Sequence, residues 1–164
     1  MTWCRHTLYC VALLGALTLS ACTTQQPKPP EPVMADPAHE ILFGALAQVG
    51  IPYRFGGSSP TTGFDCSGLI QYVYRQNAAL DLPRTVAEMN TLDVPDIPET
   101  DLRAGDLLIF STRRDSRPSH AGIYVGEGRF VHAASGGGTV RLDELSDTYW
   151  QRAYLNAKRP LAAR

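Results

Sequence analysis

The sequence predicts an α+β domain, and three observations carry that reading. Apolar residues recur at helical spacing twice, first over residues 37–49 and again from Cys66 to Asn77. From Asp106 the period falls to two, in short apolar runs broken by Gly126-Glu127-Gly128 and Gly136-Gly137-Gly138. Helices first, with antiparallel strands after them, make an α+β order.

The N-terminus lies outside that domain. Arg5 and His6 precede an apolar run from Leu8 to Leu19, the length of a signal-peptide core. Residues 1–21 are therefore expected to be a signal peptide. Leu19-Ser20-Ala21-Cys22 resembles a bacterial lipobox, which makes Cys22 the expected lipidation site. The alternative is an ordinary secretion signal with an incidental cysteine. Acyl chains on Cys22 would anchor the protein to a membrane. Thr23 stands where many inner-membrane lipoproteins carry Asp, which points to the periplasmic face of the outer membrane. Residues 22–36 contain Pro27, Pro29, Pro30 and Pro32 and no apolar period, and read as a tether.

Composition narrows the function. The 164 residues suit one domain with extensions, and 44% are hydrophobic. A net charge of -1 gives no reason to expect a nucleic-acid partner. No run reaches the roughly 18 apolar residues of a membrane span. The four cysteines are Cys4, Cys10, Cys22 and Cys66. Two leave with the signal peptide and one takes lipid, so Cys66 has no disulfide partner in an oxidising compartment.

Residues 37–164 form the expected domain. Asp36-Pro37 reads as a cap and first helical residue, with Ile41, Leu42, Ala45, Leu46 and Val49 as the stripe and Gly50 as the stop. His39 is expected in solvent. Residues 51–62 read as loop, with Tyr53 in it. Asp65 is a good N-cap, and Leu69, Ile70, Val73 and Tyr74 give the next helix its buried side. Cys66 then falls in the first turn, where free amides and the helix dipole favour a thiolate. Gly63 and Gly68 suit close backbone approach. The plainer alternative is a buried structural cysteine.

A long connection follows, with a short helix over residues 85–90 and irregular chain at Pro95 to Pro98. Strands are expected at Leu107 to Phe110, His120 to Val125, Arg129 to Ala134, Thr139 to Leu142 and Ala153 to Ala157. Arg113, Arg114 and Arg117 read as a solvated basic loop, with contact to an anionic polymer as the alternative.

A hairpin centred on Glu127 sets Gly122 opposite His132. His120 and His132 then share one sheet face as diagonal neighbours. Should the Cys66 helix cross that face, His120 can serve the sulfur as a base and His132 can orient His120. First-turn amides can receive the oxyanion of a tetrahedral intermediate. One Cys and two His are also a legitimate zinc set, but the spacing lacks close ligand pairs. The reading calls for no metal or other cofactor.

Six blocks now carry a resemblance. They are Ile51-Pro52-Tyr53-Arg54-Phe55-Gly56-Gly57, Phe64-Asp65-Cys66-Ser67-Gly68-Leu69, Leu82-Pro83-Arg84-Thr85, Arg103-Ala104-Gly105-Asp106-Leu107, His120-Ala121-Gly122-Ile123-Tyr124-Val125-Gly126 and Phe130-Val131-His132-Ala133. In order and spacing they resemble the NlpC-type family of papain-like cysteine peptidases. Within it, the chain is most similar to lipoprotein murein endopeptidases of Gram-negative bacteria. The resemblance implies N-terminal helices, the nucleophile helix among them, packed on a central antiparallel sheet. It implies hydrolysis of amide bonds in peptidoglycan stem peptides or cross-links, with Cys66 as nucleophile, His120 as base and His132 as third member. By the same resemblance Tyr53 sits near the oxyanion, and Asp65 and Ser67 near substrate. Phe55 stands where many relatives have Tyr, and Ala121 where Val is common. A monomer is expected. The competing functions are a non-catalytic murein-binding scaffold and a thiol-dependent acyl transferase. An alkylation rate no higher than a simple thiol's would favour the scaffold.

Overall fold

The computed structural model describes residues 36–113, 115–136 and 138–163. The expected signal peptide, the expected lipidation site at Cys22 and the expected tether up to residue 35 lie outside them. Among the described residues, no helix is long and apolar enough to cross a membrane.

Helix α1 runs Pro37–Leu46, and the Asp36 carboxylate caps it by accepting from the Ala38 amide at 3.0 Å. It stops earlier than its stripe suggests. Ile41 and Ala45 are buried, but Leu46 and Val49 remain exposed beyond the last packed turn. The expected loop contains a small hairpin, β1 (Ser58–Ser59) with β2 (Gly63–Phe64). Helix α2 is Cys66–Ala78, ended by Ala79 in the left-handed conformation. Leu69, Ile70, Val73 and Tyr74 are fully buried, and the Tyr74 hydroxyl donates to the Gly105 carbonyl. Helix α3 (Val86–Asn90) starts with a capping box between Thr85 and Glu88.

The main sheet has six strands in the order β3-β8-β4-β5-β6-β7, all antiparallel. They are β3 (Asp96–Ile97), β4 (Leu107–Phe110), β5 (His120–Gly126), β6 (Arg129–Ala133), β7 (Val140–Glu144) and β8 (Tyr154–Lys158). Strand β3, expected as irregular chain, is a two-residue edge strand on β8. Helix α4 (Thr148–Ala153) was not legible as a helix. Asp147 caps it by accepting from the Tyr149 amide at 2.7 Å.

Both faces of this sheet are covered. On one, Leu107, Ile109, Ala121, Ile123, Val131 and Val140 join the buried stripes of α1, α2 and α3. On the other, Leu108, Phe110, Tyr124 and Phe130 join Leu145 and Trp150 of the segment around α4. Alternation along β4, β5 and β6 assigns each side chain to its face.

Candidate active site

The β5–β6 hairpin turns through Glu127-Gly128, both with positive φ (54° and 71°), which suits a two-residue loop of the primed kind. Pairing starts at Gly126↔Arg129, slips at Val125, then runs Tyr124↔Phe130 and Ile123↔Val131. Continued one residue, that register sets Gly122 beside His132. A Cβ added at Gly122 would lie 3.3 Å from the His132 Cβ. The bulge thus converts a turn centred beyond Glu127 into the pairing expected from a turn centred on it.

His120 and His132 therefore share a face, and their rings meet. His120 Nε2 lies 2.9 Å from His132 Nδ1. Their face is not the one covered by α2. Both rings pack among Phe110, Phe130 and Trp150, on the opposite side from Leu69 and Ile70. The expectation that the Cys66 helix crosses the histidine face is corrected here. Cys66 and His120, the first residue of β5, instead line one cavity together. The backbone amides of Ala121, Ser67 and Cys66 favour the charged form of the sulfur. Cys66, His120 and Tyr53 all line one cavity of about 630 Å³.

The electrostatics also depart from expectation. Burial first, and the charge of Asp65 second, push the Cys66 thiol above its ordinary value, against the three amides. Burial pushes His120 down to about 3. Burial also lowers His132, opposed by the Asp143 carboxylate. With the thiol raised and both imidazoles lowered, all three groups favour their uncharged forms. Burial and Asp65 outweigh the helix end because the dipole is worth only a fraction of what desolvation costs. Slow alkylation is then expected of an active thiol here and does not single out a scaffold.

Asp65 caps α2 through Oδ1, which accepts from the Gly68 amide at 2.7 Å, and its Oδ2 accepts from the Gly56 amide at 3.0 Å. Arg84 grips both oxygens, at 2.9 and 2.7 Å. Desolvation works against Asp65, but the Arg84 guanidinium and these amides hold its carboxyl below the usual range. Ser67 Oγ lies 2.6 Å from Arg84 Nη1 and donates to Asp65 at 3.3 Å. Asp65 and Ser67 are thus buried and engaged with each other. Arg84, 40% exposed, is the member of the trio that stands in the open cavity. Gly68 is required because the Gly57 carbonyl would lie 2.1 Å from any Cβ there, and that carbonyl also accepts from the Asp65 amide. Tyr53 is raised by burial and by the nearby Cys66 and Asp65.

Three residues near the site carried no expected role. Asp143 accepts from His132 Nε2 at 3.0 Å and from Trp150 Nε1 at 2.9 Å. Trp150 lies against His120 with centroids 5.6 Å apart and planes 25° apart. Arg84 appeared only within a motif. The β6–β7 register pairs His132 with Arg141, which puts Asp143 diagonally beside His132. A turn centred on the middle glycine of Gly136-Gly137-Gly138 would have paired His132 with Leu142 and put Asp143 on the other face, so the sequence did not mark it. No signal marked Trp150 either. The zinc alternative needs imidazole nitrogens turned toward one ion, but both His132 nitrogens are spent on His120 and Asp143. Among the described residues no three His, Cys, Asp or Glu side chains are grouped to hold a metal.

Comparison with known proteins follows the same residues. The NlpC/P60 family model matches residues 50–159, from the loop before Tyr53 to the end of β8. Murein DD-endopeptidase MepH of Escherichia coli is 44% identical over 70% of this chain, which spans 42% of that protein. Probable endopeptidase NlpC of the same species is 32% identical over 92% of this chain and 98% of its own length. A crystal structure described as similar to lipoprotein, NLP/P60 family, from Staphylococcus aureus is 37% identical, with a TM-score of 0.67 over 82% of this chain and 44% of that one. With two thirds of the sequence inside the family's pattern and the same arrangement of helices and sheet, the chain belongs to the NlpC/P60 family.

Proposed function

We propose that this protein is a cysteine-type peptidase that hydrolyses amide bonds in peptidoglycan, with Cys66 as nucleophile, His120 as base and His132 as the third member. One observation carries the reading: two buried imidazoles bonded at 2.9 Å beside a cavity that also holds Cys66, a free thiol. The family match and the endopeptidase names of its relatives support it.

The chemistry starts from neutral partners. Cys66 Sγ attacks the scissile carbonyl as its proton passes to His120, so the thiolate exists only as it reacts. The amides of Ser67 and Ala121 favour negative charge on the sulfur, and Tyr53 lines the same cavity. These groups are the candidates to meet the developing oxyanion. Collapse breaks the C–N bond, and His120 returns its proton to the leaving amine. Water then hydrolyses the thioester and restores the thiol. His132 receives the second His120 N–H and holds the ring in place. Arg84 and Arg113 line the same cavity and suit the carboxylates of a stem peptide, while Asp65 and Ser67 steady Arg84. Because MepH is named for DD-endopeptidase activity, the favoured bond is the D-Ala–diaminopimelate cross-link. Acylation of Cys22 would place the domain at the cell envelope, on the periplasmic side of the outer membrane, acting as a monomer.

Purified protein given cross-linked muropeptides should convert dimers to monomers. Cys66→Ala should lower the rate at least about a thousandfold while leaving thermal unfolding unchanged. Undiminished cleavage by that variant rejects the mechanism. Products carrying an added amine acceptor would reassign the reaction to acyl transfer.

A further inference from the structure

We propose that Asp143 and Trp150 are positioning residues for His120, acting through His132 to fix which nitrogen of the base is free. The inference rests on the assignment of His120 as base. Four N–H groups converge on one oxygen, Asp143 Oδ2: His132 Nε2 at 3.0 Å, Trp150 Nε1 at 2.9 Å, and Arg141 Nε and Nη2 at 3.1 and 2.7 Å. Against desolvation, these donors hold the Asp143 carboxyl below its usual range.

An ionised carboxylate can only accept. His132 must therefore carry its proton on Nε2. Its neutral ring leaves Nδ1 as an acceptor, and the nitrogen 2.9 Å away, His120 Nε2, must be the donor. A neutral His120 protonated on Nε2 has its lone pair on Nδ1. The base is thus poised by a carboxylate two rings away. Without Asp143, nothing in the pair chooses between this tautomer set and its reverse.

Trp150 completes the device with one side chain. It is buried, stacks on His120 and meets His132 edge-on with centroids 4.8 Å apart. Its N–H fixes the carboxylate that His132 reads. Helix α4 carries it from the β7–β8 connection to this spot. The charged and titratable groups around His120 are His132 from β6, Arg141 and Asp143 from β7, Cys66 from α2, and Tyr53, Asp65, Arg84 and Arg113 on the cavity wall.

The experiment pairs kinetics on cross-linked muropeptides with ¹⁵N NMR of the histidines in the full-length protein. Wild type should show both rings protonated on Nε2. Asp143→Ala should mix the tautomers and lower kcat about a hundredfold with KM nearly unchanged, since tautomer control in a related triad is worth up to about 10⁴. Asp143→Asn should keep the tautomers, because Trp150 and Arg141 demand an oxygen at that position, and should lose less activity than Asp143→Ala. Its acid limb in kcat/KM should move to lower pH, since the lost charge no longer raises the imidazoles. Trp150→Phe, which keeps a ring and deletes the N–H, should lower kcat about tenfold and partly mix the tautomers. A packing role alone would lower only its unfolding temperature, and that result overturns the assignment of Trp150. A wild-type His120 protonated on Nδ1, or Asp143→Ala with wild-type tautomers and kcat, overturns the whole proposal. Cys66→Ala run alongside separates the two levels: activity there removes the peptidase mechanism, while the tautomers still decide the role of Asp143.

Discussion

The two faces of the main sheet are both apolar, yet they are built from different residues and do different work. The face under α1, α2 and α3 is mostly aliphatic, with Leu107, Ile109, Ile123 and Val131 against Leu69, Ile70 and Val73. The face toward α4 is aromatic, with Phe110, Tyr124, Phe130 and Trp150. Aliphatic side chains pack without directional demands. Aromatic rings can cover the flat face of an imidazole and leave its in-plane nitrogens free to bond. So the first face holds the fold, and the second buries two histidines without severing their hydrogen bonds. Cys66, the proposed nucleophile, comes from the first layer and His120, the proposed base, from the second. Both line the same cavity, and the Ala121 amide that follows His120 favours the charged form of the sulfur.

The sharpest way to break this contrast is one truncation on each face. Leu69→Ala, fully buried on the aliphatic side, should cost about 2–5 kcal/mol of stability and leave kcat per folded molecule unchanged. Phe130→Leu removes a ring packed 5.1 Å from His132. It should cost less stability, about 1–2 kcal/mol, but lower kcat several-fold. Denaturant unfolding and kinetics on the same preparations give both numbers. Equal kcat losses would mean that the faces are not specialised.

A smaller effect is expected where the aliphatic layer meets the cavity, at Arg84. Arg84→Met leaves Asp65, with a side chain only 12% exposed, to the Gly56 and Gly68 amides. A cost of about 1–2 kcal/mol follows, discounted for the exposure of Arg84. The pH dependence has a definite sign. Folding lowers the Asp65 pKa, so its contribution is present above the unfolded carboxylate value and disappears as pH falls through the folded one. Arg84→Met raises the folded value, so acid unfolding should begin at a higher pH. A midpoint that stays put, followed by circular dichroism, would assign Asp65 to its amides alone.

Much of this plan was legible in the residues. The cap at Asp65, the stripe of α2 and the alternation through β5 and β6 are local patterns, and local patterns survive without knowledge of the fold. The glycine turn even supplied the His120–His132 relation. What escaped was non-local. Leu107 to Phe110 and His120 to Tyr124 are buried on both sides, so alternation could not say which face α2 covers. Helix α4 is six residues, too short for a period, and β3 is two. Asp143 lies one residue past the strand end expected at Leu142, where no local pattern marks it. The acidity of the thiol failed for a related reason: the dipole is visible in a sequence, but the depth of burial that opposes it is not.

The mildest variant tests a residue that belongs to neither face. Phe55 is 89% exposed, the most open large apolar side chain among the described residues. Its loop is nonetheless held firmly. The Arg54 amide donates to the Phe64 carbonyl at 2.8 Å, the Gly57 amide to the Arg54 carbonyl at 2.9 Å, and the Gly56 amide to Asp65 at 3.0 Å. Gly56 takes φ +75°, which suits glycine, and Phe55 beside it lines the cavity. A rigid loop that leaves an aromatic ring in water gains nothing in stability from it. Phe55→Ala should therefore change unfolding by no more than about 0.5 kcal/mol. If the ring meets substrate, KM should rise several-fold with kcat unchanged, the pattern of lost uniform binding, and Phe55→Tyr should restore it. An unchanged KM would take the ring out of the binding site and leave Arg84 and Arg113 to hold the substrate at that end of the cavity.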